Sequence, residues 1–293
     1  MELTVLIVSY NAKIHLKKCL RSLYDETSHR PLEVIVVDNA STDGSLSMAT
    51  RDFPEIVAIG SPDNLGFAGG NNLGMREAKG QYLLLLNNDA FVKPGAVDTM
   101  LRIMKERPDV GVLGPLLRNE DGSVQISYGD MINFRADATQ KMLSKFYESG
   151  NRFFRSYIEK RSKQEAYPDW VSGACMMFRA ELLDKVGYFD DRFFMYTEEV
   201  DYCQRVRRAG YRVLYTPEAE VIHLRGKSTE ANREKATFEY RRSQLYFYKK
   251  HYGRGKVRFL KVYLLFKIAA KWVLGGRAQR RLQHMLFGLV WNF

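Results

Sequence analysis

Residues 81–93 read QYLLLLNNDAFVK. The run Tyr82–Leu86 has no polar interruption and stops at two amides and a carboxylate, Asn87, Asn88 and Asp89. A strand with one wet face alternates apolar and polar side chains; an unbroken run marks a strand buried on both faces. Similar runs recur on either side, at Leu3–Val8, Val34–Val37, Ile56–Ile59 and Val110–Leu113. Between them, Ile14–Tyr24, Ser45–Phe53, Asn72–Ala78 and Pro94–Arg107 have helical spacing, the last with proline in its first turn. This alternation predicts an α/β fold, a mostly parallel sheet with helices on both faces.

The second half is less regular. Asp121-Gly122 is a hairpin signal, and residues 130–168 form a polar, aromatic and basic insertion with no readable pattern. Trp170–Phe178 reads as a buried strand broken by Gly173. Ala180–Val186 reads as a short helix, and Glu198–Ala209 as a helix stopped by Gly210. Arg212–Tyr215 and Glu220–His223 read as two short strands.

Ligands of open α/β sheets bind outside the carboxyl ends of the strands. Three polar clusters fall at that edge: Ser9–Asn11, Asp38–Ser45 and Asn87–Asp89. Asp38 suits a base or ribose, or simply an Asx turn. Asn64–Gly74, NLGFAGGNNLG, offers Gly66, Gly69, Gly70 and Gly74 for close backbone approach, and Asn64, Asn71 and Asn72 for amide contacts. It reads as a loop leading into a helix N-terminus, which favours phosphate. Asp89 suits a hard cation, and Asn87 stands two positions earlier where a second carboxylate would strengthen the site. The plainer reading of NND is a polar turn. His223 in VIHLRGKS is a nitrogen ligand for a metal or a structural histidine.

Glu198 and Glu199 open a helix, where negative charge is stabilising in itself. Crowded carboxylates also raise one another's pKa, which suits a general base. Adjacent helical residues point about 100° apart, so one of the two is expected to face a substrate.

The chain has 293 residues, enough for one large domain with an appendage. Cys19, Cys175 and Cys203 show neither metal spacing nor a disulfide framework, which points to a reducing compartment. The start, MELTVLIVSYN, reads as a strand and not as a secretory signal. Residues 231–293 hold 15 Lys and Arg and 2 Glu, a net of +13. Residues 1–230 hold 30 basic and 32 acidic groups, a net of −2. The tail calls for an anionic partner, a membrane surface or nucleic acid; a nucleic-acid protein would account for the tail but not for the near-neutral body. Lys261, Lys267 and Lys271 interrupt its apolar stretch, which predicts amphipathic helices lying on a membrane rather than spanning one. The alternative is that these helices pack on protein.

Taken together, VSYN, VVDNASTDGS, NLGFAGGNNLG, LLLLNNDAFV, the stretch from VSGACMMF to RRAGYRV, and VIHLRGKS resemble the family 2 glycosyltransferases of GT-A fold, in particular their bacterial rhamnosyltransferase-like branch. The resemblance covers roughly residues 3–228. It implies a catalytic domain over 1–228, with a nucleotide-sugar-binding half at 1–116 and an acceptor and catalytic half at 117–228, followed by a basic helical tail at 229–293. It implies inverting transfer from a nucleotide diphosphate sugar, with deoxythymidine diphosphate L-rhamnose favoured over uridine or guanosine diphosphate sugars. Mg²⁺ or Mn²⁺ is the implied cofactor, held at Asp89 and His223, with Asn87 in place of the usual first Asp. Ser9, Tyr10, Asn11, Asp38, Asn64, Gly66, Asn72, Asn87, Asn88 and Arg225 are the expected donor contacts, with Lys227 a further candidate at the phosphates. Glu199 is the expected base, with Glu198 beside it, and Trp170, Gly173 and Asp191 are placed on the acceptor side. The expected acceptor is a glycan or lipid-linked glycan of bacterial surface polysaccharide synthesis, met in the cytoplasm at the inner face of the membrane. The reading admits a homo-oligomer. The rival classes are a nucleotidyltransferase, whose Gly-rich basic signature is missing, and a non-catalytic sugar-nucleotide or glycan-binding module.

Overall fold

The computed structural model describes residues 1–27, 31–224, 233–274 and 277–293. Its centre is an eight-stranded mixed sheet. In chain order the strands are β1 (Leu3–Ser9), β2 (Glu33–Asp38), β3 (Val57–Gly60), β4 (Tyr82–Leu86), β5 (Ala90–Val92), β6 (Val110–Arg118), β9 (Cys175–Arg179) and β10 (Arg212–His223). They lie in the order β3-β2-β1-β4-β9-β6-β10-β5. A short ribbon pairs β7 (Tyr128–Gly129) with β8 (Trp170–Val171). From β1 the chain winds outward through β2 and β3 in parallel register, then returns to place β4 on the other side of β1, also parallel. The β1/β4 boundary is therefore the switch point where the strand order reverses. β9 runs antiparallel between β4 and β6, and β5 runs antiparallel to β10.

The unbroken apolar runs are explained by two cores, one on each face. Leu83 and Leu85 of β4 face one core; Tyr82, Leu84 and Leu86 face the other. The second core packs α1 (Lys13–Thr27), α2 (Ser45–Asp52) and α4 (Ala96–Glu106) through Leu16, Leu20, Met48 and Met100. The first packs α3 (Gly66–Glu77), α7 (Leu182–Val186) and α8 (Glu198–Arg208) through Met75, Leu182 and Val206. The three cysteines are free and buried.

Several elements differ from the sequence reading. α4 starts two residues after Pro94, because Gly95 takes a left-handed φ of 79° just before it. The insertion at 130–168 contains two helices, α5 (Phe134–Glu148) and α6 (Arg152–Ser162), capped by the side chains of Asn133 and Asn151. The two short strands at 212–223 are one strand, β10, with a register shift between Thr216 and Glu220. The glycine-rich segment is helix from Gly66 onward, not loop.

The tail forms α9 (Arg233–His251), α10 (Arg254–Leu274) and α11 (Arg277–Asn292). Leu245, Phe247, Leu260, Leu264, Leu286 and Val290 join the same apolar core as β4 and α8. Among the described residues, no helix is long and apolar enough to cross a membrane.

Candidate active site

A cavity of about 490 Å³ opens at the carboxyl ends of the central strands. Its donor-side wall is built by short polar connections. Asn39, the residue after β2, donates from Nδ2 to Gly66 O at 2.8 Å and accepts from Leu65 N at 3.3 Å. That clamp holds the Asn64–Gly66 turn against β2, and Asn64 Oδ1 closes the turn on Gly66 N. Gly66 has φ 73°, and a Cβ there would lie 2.0 Å from Phe194 O, so no other residue fits without moving that chain. Gly70 and Gly74 instead let α3 lie on the sheet, against Val8 and Leu6. Those two glycines serve helix-on-sheet packing, not phosphate approach.

Ser9, Asn11 and Asp38 sit at the same strand ends but do not line the cavity. Asn11, at φ 48°, accepts from Thr42 N at 2.7 Å and so ties the first loop to the second. Asp38 Oδ2 accepts from Ser41 N, as an Asx turn would; its Oδ1 and Ser9 Oγ are buried without a partner. Tyr10 lines the cavity from its rim.

The turn after β4 forms the cavity's polar corner. Backbone bonds from Asn87 N to Ala174 O and from Leu224 N to Asp89 O lock it between β9 and β10. Asn88 Nδ2 donates to Val8 O at 3.1 Å. His223 pairs with Ala90 across β5 and β10, which sets its Nε2 3.2 Å from Asp89 Oδ1 and 3.4 Å from Asn87 Nδ2. A buried carboxylate oxygen and an imidazole nitrogen at that spacing match neighbouring ligands of a small divalent ion, which lie about 3 Å apart in an octahedron of 2.0–2.1 Å bonds. Among the described residues no third His, Cys, Asp or Glu joins them. The protein thus offers two ligands and leaves the other positions to substrate and water.

The opposite wall is the first turn of α8. Tyr196 and Thr197 both adopt left-handed backbone, at φ 71° and 68°, and turn the chain so that Glu198 and Glu199 both line the cavity. One carboxylate was expected to face it; in a first turn no preceding turn covers either. Burial raises both pKa values, and Glu199 weighs further on Glu198. Glu199 is pushed up to about 7, and its Oε2 has no partner. A Cβ on Gly173 would touch the Phe67 ring at 3.1 Å and Glu199 Cβ at 3.5 Å, so Gly173 lies between the aromatic wall and the acid.

Three further expected contacts lie outside the cavity. Asn72 is buried and spends both ends of its amide on the backbone of Phe189. Trp170 is buried in β8, its Nε1 donating to Asp130 O. Asp191 is exposed and outside the cavity; its neighbour Asp190 holds Lys250 and Tyr246. Arg225 and Lys227 lie outside the described residues. Sequence reasoning missed Asn39, Phe67, Ser172, Met195 and Tyr196, which line the cavity. Of these, Asn39 alone was signalled, by its place at a strand's carboxyl end.

This fold and this cavity define a glycosyltransferase of GT-A architecture. The model for "Glycosyl transferase family 2" matches residues 4–187, and the chain belongs to that family, in its rhamnosyltransferase-like branch. It is 34% identical over 239 residues to the N-acetylglucosaminyl-diphospho-decaprenol L-rhamnosyltransferase of Mycobacterium tuberculosis, covering 78% of this chain and 77% of that one. It is 26% identical to rhamnosyltransferase WbbL of Escherichia coli K12, over 75% and 82% of the two chains. Among solved structures, mannosyltransferase PcManGT from Pyrobaculum calidifontis, in complex with GDP-Man and Mn2+, superposes with a TM-score of 0.59 at 19% identity. That match spans 99% of this chain and 80% of the other.

Proposed function

We propose that the chain transfers L-rhamnose, with inversion, from deoxythymidine diphosphate rhamnose to a hydroxyl of a lipid-linked glycan at the inner face of the membrane. The named rhamnosyltransferases support the donor, and the mycobacterial relative's name, which includes a diphospho-decaprenol, supports the lipid-linked acceptor. Residues 1–116 hold the donor in this reading, and residues 117–228 supply the acceptor side and the base.

One observation carries the reading: Glu199 shares a cavity with the Asp89–His223 corner and is poised near neutral pH. The acceptor hydroxyl gives its proton to Glu199 as its oxygen bonds to C1 of the sugar. The bond from C1 to the diphosphate oxygen breaks on the opposite face, and its electron pair leaves with the diphosphate. Attack and departure on opposite faces invert C1. Asp89 and His223 would hold a Mg²⁺ or Mn²⁺ ion, whose charge offsets that of the diphosphate. Asn87 and Asn88 supply amides beside it.

Transfer should rise with pH up to about 7 and level above it, as Glu199 loses its proton. Glu199→Gln should lower transfer by about 10²–10⁴-fold while donor binding, read by calorimetry, persists. Full turnover in that variant would remove Glu199 from the role.

A further inference from the structure

The hairpin at Asp121-Gly122 does more than connect strands. Its residues form a hydrogen-bond chain whose direction is fixed at one end. Asp121 Oδ1 is an acceptor, so Ser123 Oγ donates to it, at 2.5 Å. Ser123 Oγ therefore accepts from Asn119 Nδ2, at 2.8 Å. That orients Asn119 so that its Oδ1 accepts from Gln125 Nε2, at 2.7 Å. A second anchor agrees: Gln125 Nε2 also donates to the backbone carbonyl of His223, at 2.6 Å. Both amide hydrogens of Gln125 are spent, and Gln125 Oε1 faces His223 Nδ1 at 2.9 Å. Only an Nδ1–H can satisfy that contact. A neutral imidazole then presents Nε2 as an electron pair, facing Asp89 Oδ1 at 3.2 Å. Asn87 Nδ2 stands at 3.4 Å from the same nitrogen, the third group at that point.

We propose that Gln125 is a positioning residue that holds His223 in its Nδ1–H tautomer, so that Nε2 and Asp89 face each other as a two-ligand slot for a divalent cation. The proposal rests on reading Asp89 and His223 as the cation site. An electron pair and a carboxylate oxygen at that distance are mutually unfavourable unless a positive charge lies between them. Without Gln125, the Nε2–H tautomer would donate to Asp89 and close the slot with a hydrogen bond. Partners of this kind fix ring orientation at metal-binding histidines and are worth about 10–100-fold in metal affinity. Asn119 and Asp121 extend the support one step further, which gives the hairpin motif a role in the site.

The test uses the full chain labelled with ¹⁵N-histidine, metal-free at pH 8. Long-range ¹H–¹⁵N correlation reads the tautomer of His223, assigned with His223→Gln. Mn²⁺ added to the same sample broadens the His223 ring signals if it binds there. The wild type should show Nδ1–H and Mn²⁺ broadening. Gln125→Met should move His223 to Nε2–H and weaken Mn²⁺ binding by about 10–100-fold. An unshifted tautomer in Gln125→Met, with Mn²⁺ binding intact, overturns the role of Gln125. No broadening in the wild type overturns the cation reading itself, and does so without reference to the tautomer.

Discussion

Glu198 is 4% exposed, its Oε2 meets no donor, and the charge that weighs on it is the adjacent Glu199. Burial raises its pKa well above the ordinary 4.5. The folded protein therefore binds this proton more tightly than the unfolded chain does. Its contribution to stability is complete below the unfolded pKa and is lost as pH rises through the folded one. Glu198→Gln removes the cost of ionising a buried acid. The variant's melting temperature should rise relative to wild type by more at pH 8 than at pH 5, by about 2–4 °C for each kcal/mol recovered. Calorimetry at the two pH values checks this, and an equal shift at both would mean that Glu198 is ionised throughout. Individual residues were only partly legible from sequence. Asp89, His223, Glu198 and Glu199 were visible because they place ionisable groups at strand ends and a helix start. Gln125 was invisible, because a glutamine that acts through its orientation leaves no mark of composition or spacing. Asn72 and Trp170 misled for a related reason. Both are polar-capable groups near the site whose hydrogen bonds turn inward, to Phe189 and Asp130.

At the scale of elements, α8 is fixed from behind by the tail. Asp201, fully buried, binds Arg205 Nε at 2.9 Å within α8. It also binds Lys250 Nζ and His251 Nε2 of α9, each at 2.7 Å. Lys250 reaches Asp190 as well, and Ser243 Oγ donates to Met195 O in the cavity wall. Burial opposes ionisation of Asp201, but His251, Lys250 and Arg205 outweigh it and hold its pKa below the usual range. This contribution is present above the unfolded pKa near 3.8 and fades as pH falls. Asp201→Ala leaves the partly buried Arg205 and Lys250 and the buried His251 ring without this partner and should cost about 3 kcal/mol, read by urea denaturation at pH 7. The loss should shrink toward pH 3; a constant loss would assign the effect to packing alone. The helix Gly66–Glu77 shows how an element was misread. Its Asn and Gly content says loop, but Gly66, Gly70 and Gly74 recur every four residues, which is a helical face. The spacing carried the structure and composition obscured it. The strands were legible because burial on both faces writes itself as an unbroken apolar run. The insertion was not, because α5 and α6 bury only Tyr147, Ile158 and Ser162 and so lack a strong apolar stripe.

For the molecule as a whole, the +13 tail is both core and surface. On α10, Leu260, Leu264 and Ile268 are buried. Val262, Phe266 and Val273 cluster on the opposite side, at 67%, 77% and 68% exposure. Phe287 and Trp291 of α11 stack at 5.7 Å with much of their surface open. A helix with one apolar side in the core and a second facing outward, within a strongly basic segment, matches the chemistry of an anionic bilayer surface. Deleting residues 255–293 would be a poor test of membrane binding, since it would also strip Leu260, Leu286 and Val290 from the core. The paired change Val262→Glu and Phe266→Glu alters only exposed positions and should leave stability within about 0.5 kcal/mol per site. It should abolish co-sedimentation with vesicles containing phosphatidylglycerol, where the wild type binds and is released by added salt. If the variant sediments like wild type, the exposed stripe is not the docking face. A lipid-linked acceptor, as proposed, would then have to reach the cavity without help from the tail.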